Sequence, residues 1–193
     1  MKTLRKAAFL DRDGVINVDC AYVSRWEDFE FVPGTVEAMR GLKQAGYSLV
    51  VVTNQSGIAR GYYTEDQFQA LTIAMTQSLA KAGAAVDAVY HCPHLPSVAA
   101  AGLDLACDCR KPAPGMIFRA ARELNLSLSD SIMVGDKPSD IQAARAAGIG
   151  RAYIVQSDNV DSGPGIAGAD AAYFDLYSCV SDLYGTKLDP ENK

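Results

Sequence analysis

Short apolar runs recur at residues 7–10, 49–52, 86–90, 132–134, 153–155 and 171–174, and most are separated by stretches with helical periodicity. Runs of this length without polar alternation are what strands buried on both faces require. The clearest helix opens at Thr64, where Gln67 completes a capping box. It carries Phe68, Leu71, Met75 and Leu79 on one face and stops at Gly83. Further helices are predicted over 35–45, 114–124 and 139–147. Gly46 and Gly148 follow the first and last, where glycine enters the left-handed conformation without steric cost. Strands alternating with helices predict a parallel sheet covered on both sides, a doubly wound, Rossmann-like α/β fold. A chain of 193 residues suits one core of this kind, so 1–193 is read as one domain. Residues 158–168, rich in Gly, Asp and Ser, are predicted to be a surface loop, and 187–193 a polar, frayed tail.

Composition narrows the function. With 49% hydrophobic and 21% charged residues the chain is neither disordered nor fibrous. A net charge of −5 gives no footprint for nucleic acid or an anionic membrane, so neither is expected as a partner. The apolar stretch 7–10 is too short for a signal-peptide core, and no segment is long enough to span a bilayer. The expected compartment is the cytoplasm, where thiols stay reduced, so the five cysteines are read as metal ligands or buried thiols. The chain is expected to act as a monomer on a small molecule.

In doubly wound folds ligands bind beyond the carboxyl ends of the strands. The residues that follow the runs there are Asp11-Arg12-Asp13-Gly14, Thr53-Asn54, His91-Cys92 and Gly135-Asp136. Two acids near a strand end are by themselves more often a solvated turn, and Thr53-Asn54 alone reads as the end of a strand. Their combination is the specific signal. Asp11-Arg12-Asp13-Gly14, Thr53-Asn54, Lys111-Pro112 and Gly135-Asp136 with Asp140 resemble, in order, the four motifs of the haloacid dehalogenase superfamily of phosphatases. The resemblance implies an enzyme with a Rossmann-like core, a magnesium ion and an aspartyl-phosphate intermediate.

The chemistry matches those residue types. A phosphate monoester is anionic and must be neutralised before a carboxylate can approach it. Magnesium takes hard oxygen ligands, which suits the Asp11 carboxylate, the Asp13 main-chain carbonyl and the Asp136 carboxylate. Asp11 is then the nucleophile. Asp13 protonates the leaving alkoxide and later deprotonates the attacking water. The Thr53 hydroxyl, the Asn54 main-chain amide and the Lys111 ammonium hold the phosphoryl oxygens. Asp140 either caps the helix that follows Gly135-Asp136 or, as the resemblance implies, sits behind the metal's direct ligands or orients the lysine.

A second cluster carries its own signal. Cys92-Pro93-His94 and Cys107-Asp108-Cys109 place four soft ligands in two close pairs, which suits tetrahedral zinc in a loop spanning about 91–110. His94 is preferred to His91 because Cys-x-His mirrors Cys-x-Cys. Four protein ligands leave no open position, so the zinc is read as structural. Its loop runs straight into Arg110 and Lys111 and is expected to fix both cations beside Asp11.

This cysteine loop, together with residues 51–61 and 11–19, is similar to a small subgroup of the superfamily that acts on heptose bisphosphate or histidinol phosphate. By that likeness Asp19, Cys20, Ala21, Tyr22, Asn54, Gln55 and Ser56 line a sugar pocket and Lys137 contacts the substrate. Arg110 is read as meeting a second phosphate, since its fork binds phosphate at two points. Arg60 is read as a surface cation. Only short connections follow the first two strands, leaving no room for a separate cap domain. Two non-enzymatic readings compete. A receiver domain places its phosphorylated aspartate elsewhere, and a zinc-stabilised interaction module without activity requires that the acids do no chemistry.

Overall fold

The computed structural model describes residues 4–97, 102–155 and 168–185. The loop predicted over 158–168, apart from Gly168, and the tail predicted over 187–193 lie outside them. Six parallel strands form one sheet: β1 (Arg5–Leu10), β2 (Ser48–Asn54), β3 (Ala88–Cys92), β4 (Leu126–Gly135), β5 (Arg151–Val155) and β6 (Ala171–Tyr173). Their order is β3-β2-β1-β4-β5-β6, so the chain starts in the middle, winds outward through β2 and β3, and returns to the far side of β1. The switch point between β1 and β4 is where such sheets open a crevice at the carboxyl ends.

The helices are α1 (Thr35–Gln44), the single turn α2 (Ser56–Ala59), α3 (Glu65–Lys81), α4 (Gly115–Leu124), α5 (Pro138–Ala147) and α6 (Leu176–Tyr184). The predicted capping box is present: Thr64 Oγ1 accepts from Gln67 N and Gln67 Oε1 accepts from Thr64 N. Alternate strand residues separate two cores. Ala8, Leu10, Leu49 and Val51 pack with Met39 and Leu42 of α1, Met75 and Leu79 of α3 and Leu176 and Val180 of α6. Ala7, Phe9, Val50 and Val52 pack with Met116 and Ile117 of α4 and Ile141 and Ala144 of α5. Both faces of the central strands are therefore dry, which is why their sequences show no alternation.

The predicted boundaries need correction at several places. The strand expected over 86–90 forms at Ala88–Cys92, because its ladder to β2 runs from Val50↔Ala88 to Asn54↔Cys92. Thr53, Asn54, His91 and Cys92, expected just beyond strand ends, are the last residues of β2 and β3. The strand expected over 132–134 begins at Leu126. Its register against β1 shifts between Lys6 and Ala8, where Ser131 Oγ accepts the Ala7 N–H at 2.8 Å and fills the break. Helix α6 was absent from the sequence reading, although Leu176, Cys179 and Val180 recur at helical spacing behind an Asp175 cap. Between β1 and α1 the described chain holds only a 3-10 turn, Trp26–Asp28, and between β2 and α3 only α2, so no cap domain is inserted at either place. No helix among the described residues is long and apolar enough to cross a membrane.

Two substitutions test this account. Phe9→Ala removes the largest buried side chain of β1 and is expected to cost about 3–5 kcal/mol. Thr64→Ala removes only a helix cap and is expected to cost about 1 kcal/mol. Chemical denaturation of both variants measures the difference, and the reverse order would contradict the core assignment.

Candidate active site

The carboxyl ends of β1, β2 and β4 gather the predicted acids and lysine at the switch point. The Lys111 ammonium lies 2.9 Å from Asp11 Oδ1 and 2.6 Å from Asp140 Oδ1, and donates to the Val52 carbonyl at 2.7 Å. All three charged residues are buried. Burial alone would lower the lysine's pKa, but Asp11 and Asp140 outweigh it and hold the ammonium above its usual range. Asp140 thus contacts the lysine and also caps α5, since its Oδ2 accepts the Lys137 N–H at 3.0 Å.

Asp136 completes the group. Burial, with Asp11 and Asp140 close by, pushes its carboxyl up to about 7 against the pull of Lys137. Its Oδ1 is buried and accepts no hydrogen bond. Oxygens of Asp11, Asp136 and Asp140 lie within 4.8 Å of one another. An orphaned carboxylate oxygen among clustered acids fits a hard divalent cation, which takes oxygen ligands and offsets the repulsion. Gly14, at φ +85°, allows the chain to pass here, because a Cβ on it would sit 2.6 Å from Asp136 Oδ2.

Asp13 is gripped from several sides. It accepts from Arg12, whose guanidinium is 1% exposed, from Asn17 Nδ2 at 3.1 Å and from Gln55 Nε2 at 3.0 Å. Gln55 Nε2 also donates to Thr53 Oγ1 at 2.9 Å, leaving the Thr53 proton for another acceptor. The Tyr63 hydroxyl donates to Gln55 Oε1, and burial pushes its pKa up to about 12, so it stays a donor at neutral pH. Arg12 and Tyr63 had no role in the sequence reading. Arg12 could have been suspected, because a cation between two clustered acids cannot turn outward when its strand ends in the core.

Beside these groups opens a cleft of about 260 Å³. Its wall contains Asp13, Asp19, Ala21, Tyr22, Asn54, Gln55, Ser56 and Lys137, so most of the predicted pocket converges. Gly57 and Tyr63 complete it. Cys20 is exposed, and neither it nor Arg110 lines this cleft. Lys137 Nζ lies 3.3 Å from both Asp19 Oδ2 and Asp136 Oδ2. Burial would lower its pKa, but Asp136, Asp11 and Asp19 hold it above the usual range. Ala21 and Tyr22 both adopt positive φ (55° and 59°), a conformation that costs about 1–2 kcal/mol per L-residue. Tyr22 also packs edge-on against Tyr62 at 4.6 Å, which joins the two loops at the mouth. Arg60 is exposed.

The cysteine cluster is gathered round one point. Sulfur separations are 3.0 Å for Cys109–Cys92, 3.1 Å for Cys109–Cys107 and 3.5 Å for Cys92–Cys107. His94 Nδ1 lies 3.3 Å from Cys109 Sγ and 3.6 Å from Cys92 Sγ. No pair is a disulfide. Four donors of these types at these spacings approach the roughly 3.8 Å that tetrahedral coordination with metal–sulfur bonds near 2.3 Å requires. His91 turns away to pair with Glu65 at 2.9 Å and to pack on Phe68. Arg110 Nη1 donates to the His94 carbonyl at 3.1 Å, tying the residue before Lys111 to the other half of the cluster. The Asn54 side chain holds Lys111 independently: its Nδ2 donates to the Lys111 carbonyl and its Oδ1 accepts the Lys111 N–H, both at 3.0 Å.

Comparison with known proteins gives this geometry its context. Residues 4–148 match the haloacid dehalogenase-like hydrolase family. The D-glycero-beta-D-manno-heptose-1,7-bisphosphate 7-phosphatase of Yersinia pestis is 49% identical over 164 residues, covering 85% of this chain and 87% of the relative. The enzyme of the same name from Escherichia coli K12 is 51% identical over 151 residues, covering 78% and 79%. Among solved structures, the D,D-heptose 1,7-bisphosphate phosphatase of B. bronchiseptica, complexed with magnesium and phosphate, superposes with a TM-score of 0.79. It shares 36% identity, covering 92% of this chain and 97% of that one. With its acids, lysine and cleft at the switch point of a parallel sheet, the chain belongs to the haloacid dehalogenase-like hydrolase family and is a phosphoric monoester hydrolase.

Proposed function

We propose that the enzyme removes the C7 phosphate of D-glycero-D-manno-heptose 1,7-bisphosphate in the cytoplasm, through a phosphorylated Asp11, with the whole chain acting as one domain. The observation that carries this reading is the buried Lys111 ammonium bonded to Asp11 beside the orphaned Asp136 oxygen. Such an arrangement presents a nucleophilic carboxylate and a cation to the same phosphoryl group. The names of relatives at about half identity support the sugar. The heptose 1-phosphate product would serve lipopolysaccharide core or related glycan synthesis.

Magnesium held by Asp11, Asp136 and the Asp13 carbonyl would supply positive charge to the phosphoryl oxygens. The protein's own residues do the rest. An Asp11 oxygen forms the bond to phosphorus as the ester bond breaks, and Asp13 gives its proton to the departing sugar oxygen. Water then attacks the same phosphorus, Asp13 takes back a proton, and the Asp11 carboxylate is released. Thr53 and Lys111 donate to the phosphoryl oxygens throughout, a type of contact worth about 100-fold to 1,000-fold in rate. Asp19, Ala21, Tyr22, Gln55, Ser56 and Lys137 orient the sugar within the cleft. Cys20 belongs to the same loop, and Arg110, whose Nη1 is held by the His94 carbonyl, meets the second phosphate through the rest of its guanidinium.

Three outcomes are expected. Magnesium-dependent phosphate release falls at least about 1,000-fold in Asp11→Asn and sharply in Asp13→Asn. Normal turnover by both variants would overturn the mechanism. Heptose 1,7-bisphosphate exceeds histidinol phosphate in kcat/KM, and Arg110→Ala narrows the gap. A preference for histidinol phosphate would reassign the substrate. Zinc held by Cys92, His94, Cys107 and Cys109 would brace the segment that delivers Arg110 and Lys111, so chelation is expected to impair turnover. A chelated enzyme free of zinc by elemental analysis yet fully active would refute that link.

A further inference from the structure

Arg12 is the largest fully buried side chain in the described structure, and Asp13 is its one carboxylate partner among the described residues. A buried guanidinium is costly unless paired, so this pair exists for a structural or a chemical reason. The two oxygens of Asp13 are treated differently. Oδ1 accepts from Arg12 Nε at 3.2 Å, Arg12 Nη2 at 2.9 Å and Asn17 Nδ2 at 3.1 Å. Oδ2 accepts from Gln55 Nε2 at 3.0 Å and shares Arg12 Nη2, also at 3.0 Å. An oxygen facing three N–H donors has no direction left for a proton, since an added O–H would point at a donor. Oδ2 gives up chiefly the contact to Gln55, a side chain that itself lines the cleft.

Arg12 is held in turn. Its Nη2 donates to the Val23 carbonyl at 3.1 Å and to Gln55 Oε1 at 3.3 Å, and its guanidinium lies 5.7 Å from the centre of the Phe68 ring. It therefore joins the loop after β1 and the end of β2 to one point, the carboxyl of Asp13.

We propose that Arg12 is a positioning residue for proton transfer. With Asn17 it saturates Oδ1 of Asp13, so that Oδ2 is the oxygen that gives and takes the catalytic proton. This rests on the reading of Asp13 as acid and base. As phosphorus leaves the ester oxygen for an Asp11 oxygen, the Oδ2 proton passes to the ester oxygen. As water displaces Asp11 from phosphorus, the water's proton returns to Oδ2. The competing role is purely structural, with Arg12 tying the Val23 segment to the sheet.

Leaving-group dependence separates the two. Benzyl phosphate releases an alkoxide that needs a proton, whereas 4-nitrophenyl phosphate releases a phenolate that leaves without one. The quantity kcat/KM covers only the steps up to the phosphorylated enzyme, so later hydrolysis does not enter. The benzyl-to-nitrophenyl ratio of kcat/KM is expected to fall about 100-fold in Asp13→Asn and about 10-fold in Arg12→Met. Arg12→Lys keeps the charge without the fork. It should show a smaller fall in the same ratio and carries the test if thermal melting shows Arg12→Met unfolded. Equal losses for both substrates in the Arg12 variants, with Asp13→Asn still selective, would overturn the proposal and leave Arg12 a structural tie. An unchanged ratio in Asp13→Asn would remove the acid assignment itself, and the proposal with it.

Discussion

The site depends on one buried ammonium. Taking a lysine out of water costs several kcal/mol unless the charge is met. Lys111 is met on three sides, by Asp11, Asp140 and the Val52 carbonyl, which come from or directly follow β1, α5 and β2. The same contacts that make burial tolerable fix the geometry of the nucleophile. The lysine's own segment contributes nothing to the sheet, so it must be tied in from outside. Two ties do this: the paired hydrogen bonds from the Asn54 side chain and the loop that closes through the cysteine cluster.

The two clusters of titratable groups are chemically distinct, and the difference follows from what surrounds them. At the switch point carboxylates converge from elements that the sheet forces together, and their mutual repulsion calls for a hard cation with oxygen ligands. At the end of β3 the ligands are thiols and an imidazole, Cys92 from the strand itself and His94, Cys107 and Cys109 from the chain that follows it. A closed soft-ligand site there would join the two ends of that segment. With no cap domain among the described residues, screening of the cleft falls to short loops, and the left-handed backbone at Ala21 and Tyr22 shows that one of them is held under strain.

Much of this was legible in the sequence. Runs buried on both faces betray themselves by lacking alternation, so the parallel sheet and the strand ends that carry Asp11, Thr53 and Asp136 could be read directly. Cys92, His94, Cys107 and Cys109 could be read because ligand spacing within each pair is local. The side of each helix, the boundary of β3 and the start of β4 could not, because ladder pairing with a distant strand decides them.

The sequence alone determined which residue types stand at the ends of which strands, since apolar periodicity and turn residues are local properties. Only the tertiary structure decided how those residues are used. It committed the Asn54 side chain to Lys111, gave Asp140 both the helix cap and the lysine, turned His91 toward Glu65, and closed Arg12 onto Asp13. Each of these is a hydrogen bond or ion pair whose geometry exists only once separate strand ends are packed side by side. Burial then makes every unpaired donor or acceptor costly, and so selects one arrangement.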